Sequence, residues 1–262
     1  MRLVVVGGGK MGEALVGGAV RGNFASTSEI AVVEALPGRR DELSAAFPGL
    51  SVGSSMPEEP EGVVIAVKPA DVEAACAAIR AARPGRVLSI AAGVTLARLE
   101  EWLPSLPVVR AMPNTAALVG AGAAAIAAGT AAGPADLDWA EDVLGAVGLV
   151  VRVPEKALDA VTGLSGSGPA YVFLVAEALV DAGVLVGLDR STSAALTRQT
   201  LLGAARLLDE TGQLPEELRA AVTSPAGTTA AGLRVLEQRA VRAAFVDAVA
   251  AATLRSQELG RS

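Results

Sequence analysis

The spacing of hydrophobic positions changes character once along the chain. Up to about residue 110, short β-branched runs alternate with stretches whose apolar residues recur every three or four positions. The runs Arg2–Val6, Ile30–Glu34, Val63–Val67, Arg86–Ile90 and Val108–Arg110 predict strands, and the intervening periodicity predicts helices over Lys10–Arg21, Arg39–Phe47, Ala70–Ala82 and Leu96–Trp102. Alternation of this kind, punctuated by Gly and Pro, reads as an α/β fold with a parallel sheet covered by helices. A hairpin-like pair is expected within Leu118–Ala128 and Val147–Val153, separated by a helix over Ala135–Ala146. After Pro154 the strand signals fade, and helices are expected over Glu155–Gly187, Arg190–Glu210, Pro215–Val222 and Thr229–Leu259. The boundary therefore falls near Val153, giving domains 1–153 and 154–262. Several of the later helices are apolar on more than one face, which points to burial in a partner subunit as well as in their own bundle.

Composition narrows the function classes. Hydrophobic residues make up 52% of the 262, yet aromatics only 3%, so the apolar mass is Ala, Val and Leu, suited to close packing rather than to a broad aromatic binding face. The most apolar stretches, such as Ala116–Ala132, look too short and too weakly hydrophobic for a span of about 20 residues. The opening run Leu3–Val6 stops short of the ~7–15 apolar residues of an export signal. The expectation is a cytoplasmic protein with no membrane partner. A net charge of −6 without a basic block argues against nucleic acid. The one cysteine, Cys76, lies in an Ala-rich helical stretch and reads as a core residue. Histidine is absent altogether. That removes His general bases, His-based triads and the commonest metal ligand together, and no metal site is expected.

Directly after the first strand, Val6 leads into Gly7-Gly8-Gly9-Lys10-Met11-Gly12, which fits G-x-G-x-x-G and opens a helix. The glycines serve a tight turn, close approach of the backbone to a pyrophosphate, and close helix–strand packing, and the N–H groups at the helix start bind the anion. In this context the motif predicts a Rossmann-type dinucleotide site. Glu34 ends the second strand where an acidic side chain takes the ribose 2′-hydroxyl of NAD, which favours NADH. Arg39 and Arg40 follow and are able either to clamp a 2′-phosphate or to solvate the next helix; both readings stay open here.

Further motifs sit at strand ends, where open α/β sheets bind ligands. These are Ala66-Val67-Lys68-Pro69, then Ala91-Ala92-Gly93, then Ala111-Met112-Pro113-Asn114-Thr115. In the helical half stand Asp159-Ala160-Val161-Thr162-Gly163-Leu164-Ser165-Gly166-Ser167-Gly168-Pro169-Ala170-Tyr171 and Val222-Thr223-Ser224-Pro225-Ala226-Gly227-Thr228-Thr229. This ordered set resembles the pyrroline-5-carboxylate reductase family over essentially the whole chain. The resemblance implies a Rossmann sheet followed by an all-α dimerisation domain, with the active site between one subunit's Rossmann domain and its partner's helices, and a homodimer that assembles further into a decamer. It implies reduction of pyrroline-5-carboxylate to proline, with NADPH as the cofactor and NADH as the alternative. Cofactor-binding residues are then Val6, Gly7–Gly12, Glu34, Arg39, Ala66–Pro69, Ala91–Gly93 and Asn114. Substrate-binding residues are Ser167, Ser224, Gly227, Thr228 and Thr229, with Thr229 catalytic. Ala226 departs from the family, which often has Gly there; Ala serves unless the backbone requires a positive φ.

The residues of the last motif agree physically. Pro225 and Gly227 shape a turn, and Thr228 or Thr229 begins a helix whose free N–H groups would face a carboxylate. Thr229 supplies a hydroxyl for the ring nitrogen, and a cyclic imine that enters protonated needs no strong protein acid. The bland alternative is that both threonines are only N-caps. Two rivals remain: another imine or hydroxyacid reductase of similar build, and a dinucleotide-binding regulatory protein without turnover.

Overall fold

The computed structural model describes residues 1–261. An eight-stranded sheet runs in the order β3-β2-β1-β4-β5-β6-β7-β8. The strands are β1 (Leu3–Val6), β2 (Ile30–Val33), β3 (Ser51–Gly53), β4 (Val63–Ile65), β5 (Val87–Ser89), β6 (Val108–Met112), β7 (Gly122–Ala128) and β8 (Gly148–Arg152). Around them lie α1 (Lys10–Arg21), α2 (Pro37–Ala46), α3 (Val72–Ala82), α4 (Leu96–Trp102) and α5 (Pro134–Gly145). All neighbours pair parallel except β6 and β7. β1 is apolar at four successive positions because both sheet faces are covered. Leu3 and Val5 join one core with Leu15, Leu43 and Trp139, while Val4 and Val6 join the other with Val72, Ile79 and Leu99.

The expected hairpin-like pair is corrected. β7 pairs antiparallel with β6, whereas β7 and β8 are parallel, with Gly122 opposite Gly148. Parallel neighbours need a crossover rather than a tight turn, and α5 supplies it. β3 escapes the sequence pattern because it holds a single large apolar residue, Val52, at the sheet edge.

The helical elements are α6 (Leu158–Val161), a wide π-type turn over Thr162–Gly166, α7 (Gly168–Leu185), α8 (Arg190–Thr211), α9 (Pro215–Ala221), α10 (Thr228–Gln238) and α11 (Val241–Arg261). The single helix expected over Thr229–Leu259 is two helices. Ala240 breaks it with φ 55°, a left-handed residue with no Gly or Pro to mark it.

Two compact units emerge: Met1–Ser167 together with Ala250 onward, and Gly168–Val249. Residues 154–167 fold with the sheet because Leu158 is fully buried in its second core. In the other unit α7 and α8 pack closely: the Ser193 hydroxyl donates to the Val180 carbonyl at 2.8 Å, and a Cβ on Gly183 would lie 2.1 Å from the Ser193 oxygen. Only Ser193 and Thr197 are buried within this unit, and large apolar side chains such as Phe173 (63% exposed) and Leu185 (86%) face outward. A helical unit without an apolar interior requires a covering surface. The stretch Glu155–Leu185, with a window of mean hydropathy 1.5, is also long and apolar enough to cross a membrane, which the sequence reading missed by looking to Ala116–Ala132.

Candidate active site

β1 lies between β2 and β4, the switch point where strand order reverses and open sheets bind ligands. The glycine turn sits there, and its glycines do different things. Gly7 has φ 104°, and a Cβ on it would lie 2.6 Å from the Ala66 carbonyl oxygen. A Cβ on Gly12 would lie 2.1 Å from the Gly7 oxygen, so α1 packs tightly against its own turn. Beside Gly9, by contrast, a Cβ would meet nothing within 4 Å. Gly9 caps α1 without a side-chain hydrogen bond, leaving the first-turn N–H groups, those of Lys10, Met11 and Gly12, uncapped by any side chain.

A groove of about 540 Å³ opens at these strand ends. Of the residues expected to bind the cofactor, Val6, Gly7, Gly9, Glu34, Ala66, Val67 and Lys68 line it. Val33, Ala35, Leu36, Ser54 and Asp71 also line it and carried no such expectation; Val33 ends β2, Ala35 and Leu36 continue from it, and Ser54 follows the unrecognised β3. Pro69 opens the single turn Pro69–Asp71 before α3.

Glu34 is fixed by backbone donors: Gly8 N–H donates to one carboxylate oxygen at 2.8 Å, Leu36 N–H to the other at 2.9 Å. Arg39 donates through Nε to the Gly8 carbonyl at 2.7 Å and pairs with Glu42 and Glu13. Those carboxylates, Glu42 foremost, raise its pKa above the ordinary value. Arg40 donates to the Glu34 and Ala35 carbonyls. Arg39 therefore braces the glycine turn against α1 and α2, and Arg40 holds the stretch between β2 and α2.

Ala91, Ala92 and Gly93 follow β5 and do not line this groove; Gly93 turns with φ 76°. The start of α4, which follows them, is held by Glu155, just after β8. Glu155 accepts from Leu96 N–H at 2.6 Å and from the buried Arg110 guanidinium at 2.8 Å. Asn114, after β6, is a node: its side-chain oxygen accepts from Ala116 N–H at 3.2 Å and Ala123 N–H at 3.1 Å, and its amide donates to the Ser165 carbonyl at 3.0 Å. Ser167, half-buried, closes the wide turn by donating its N–H to the Thr162 carbonyl at 2.8 Å.

The second predicted motif forms a tight turn. Gly227 N–H donates to the Ser224 carbonyl at 3.0 Å, with Pro225 and Ala226 at the corners. Ala226 has φ 59°, the positive value that the third position of a type II turn requires and that favours Gly. Gly227 then caps α10 without a side-chain hydrogen bond, and Thr228 and Thr229 open the helix exposed. Cys76 offers no nucleophile. Burial first, and Glu73 second, push its thiol up to about 11, so it stays protonated at neutral pH.

The first site fits the pyrophosphate of a dinucleotide. The space beside Gly9 admits a ligand where any Cβ would intrude, and an uncapped helix start faces an anion favourably.

Residues 2–93 match the family described as NADP oxidoreductase, coenzyme F420-dependent. Residues 155–259 match the family described as pyrroline-5-carboxylate reductase dimerisation, which accounts for the outward apolar helix faces by self-association. A pyrroline-5-carboxylate reductase of Synechocystis is 45% identical over 100% of this chain and 99% of its own. The structure of a pyrroline-5-carboxylate reductase from Coxiella burnetii superposes with a TM-score of 0.94 at 36% identity, covering 100% of this chain and 99% of that one. A Plasmodium falciparum pyrroline carboxylate reductase with NADP bound superposes with a TM-score of 0.85 at 30% identity, covering 99% and 98%. With near-complete coverage at these identities, this chain belongs to the pyrroline-5-carboxylate reductase family.

Proposed function

We propose that the chain reduces 1-pyrroline-5-carboxylate to proline, the last step of proline biosynthesis, with NADPH as hydride donor and NADH as the alternative. The observation that carries this reading is that, in a member of this family, both motif turns lead into helices whose starts have no side-chain cap. One follows the glycine turn, the other the Ser224–Gly227 turn. When bound, the dinucleotide supplies the hydride. Gly7–Gly12 hold its pyrophosphate; Ala66–Pro69 and Ala91–Gly93 complete its site. The start of α10, with Ser224, Gly227 and Thr228, takes the substrate carboxylate through N–H and hydroxyl donors. The Thr229 hydroxyl orients the ring nitrogen as its neighbouring carbon is reduced. A protonated imine becomes a neutral amine when it accepts hydride, so no histidine acid is called for.

We further take the self-association to be a homodimer that builds toward a decamer, in the cytoplasm, with the apolar face of Glu155–Leu185 covered by protein rather than lipid. Glu177 and Asp181, one turn apart on α7, suit that setting, since carboxylates within a membrane are costly.

A coupled assay following NADPH oxidation with pyrroline-5-carboxylate, repeated with NADH, tests the reading; absence of proline formation with both donors ends it. Thr229→Ala is expected to lower kcat/KM by about 10²–10³, the loss usual for an oriented hydrogen-bond donor. A fall under about threefold in a folded variant would return Thr229 to helix capping.

A further inference from the structure

The segment ending at Ser167 contains a backbone problem written into its sequence. In a regular helix the Ser165 carbonyl would accept from the N–H four residues on, but that residue is Pro169, which has none. The helix widens at this point into the π-type turn Thr162–Gly166, a distortion that recurs at functional sites. The missing donor comes from another element. Asn114, just after β6, directs its amide to the Ser165 carbonyl at 3.0 Å. The opposite end of the same side chain is held by two backbone N–H groups, of Ala116 and Ala123. The side chain is thus anchored at its oxygen and aimed at its nitrogen. Met112 on the same strand tightens the fit, since a Cβ on Gly166 would lie 2.7 Å from its methyl carbon.

We propose that Asn114 is a positioning residue for the substrate side of the site, acting through the Ser165 carbonyl to fix the wide turn that presents Ser167. This rests on the assignment of Ser167 to the substrate above. It departs from the cofactor contact that the family resemblance implies for Asn114: the residue sets how Ser167 meets the substrate, and the dinucleotide is held without it.

Asn114→Asp is the discriminating change. It keeps the oxygen that Ala116 and Ala123 hold but replaces the donor with a second acceptor facing the Ser165 carbonyl. The expected result is a KM for pyrroline-5-carboxylate raised about tenfold or more, with NADPH affinity by fluorescence titration within about twofold of wild type. Amide hydrogen exchange across residues 161–168 should quicken. An unchanged KM, or an NADPH affinity that falls by the same factor as KM, overturns the proposal. Pro169→Ala gives Ser165 an N–H four residues on, so Asn114→Asp should cost much less in that background. Lack of such coupling overturns the proposal even if the single variant folds poorly. Should wild-type protein not reduce pyrroline-5-carboxylate, the proposed reaction fails, while the exchange measurement still decides whether Asn114 holds the turn.

Discussion

Ala226 stands where a type II turn calls for a left-handed residue, and it adopts φ 59° regardless. The left-handed region costs an L-residue with a Cβ about 1–2 kcal/mol. Ala226→Gly should relieve that, offset in part by glycine's greater unfolded-state entropy, and raise stability by up to about 1 kcal/mol in chemical denaturation. A loss of stability would mean that the Ala methyl makes contacts outweighing the strain. Residue identities made this turn legible: Pro225 and Gly227 mark it, and the departure at Ala226 raised the question that the φ value answers. Ala240, at φ 55°, was illegible for the complementary reason. Apolar periodicity continues through it, and an alanine carries no sign of the conformation it has been forced into.

The glycine turn shows at the scale of an element what a motif can and cannot tell. Its strand–turn–helix context was plain in sequence, and so were the three jobs its glycines share, but not which glycine has which job. Two substitutions separate them. Gly12→Ala places a Cβ 2.1 Å from a backbone oxygen and should unfold the protein or lower its melting temperature markedly. Gly9→Ala enters open space and should leave melting nearly unchanged while weakening NADPH binding about tenfold or more, read by fluorescence titration. Equal effects from both would contradict the division. The arginines after β2 were ambiguous because sequence gives charge without partners. Arg39 finds two carboxylates and a carbonyl and braces the glycine turn, while Arg40 finds two carbonyls and holds the stretch between β2 and α2. The hairpin expectation failed similarly, since the strength of two strand signals says nothing of their direction.

For the whole molecule, the helical unit's outward apolar faces predict that association and activity rise and fall together. Phe173→Asp should raise the subunit dissociation constant by about a hundredfold or more, seen by sedimentation, with activity lost in parallel. A dimer that persists with full activity would remove Phe173 from the interface. That these helices seek a partner was visible in their two-sided apolarity, and the change of pattern after Pro154 marked two parts; the return of the segment from Ala250 onward to the first unit was not visible, because contacts between distant segments leave no local pattern. The Rossmann unit recruits residues from Ala250 onward, and within it the Ser256 hydroxyl donates to Asp159 at 2.7 Å. During synthesis, therefore, the sheet waits for a segment made well after it. The sheet can collapse once residue 167 has left the ribosome, but the closing hydrogen bond must await a further eighty-odd residues, and a nascent chain stalled anywhere in that interval exposes an unfinished surface to chaperones.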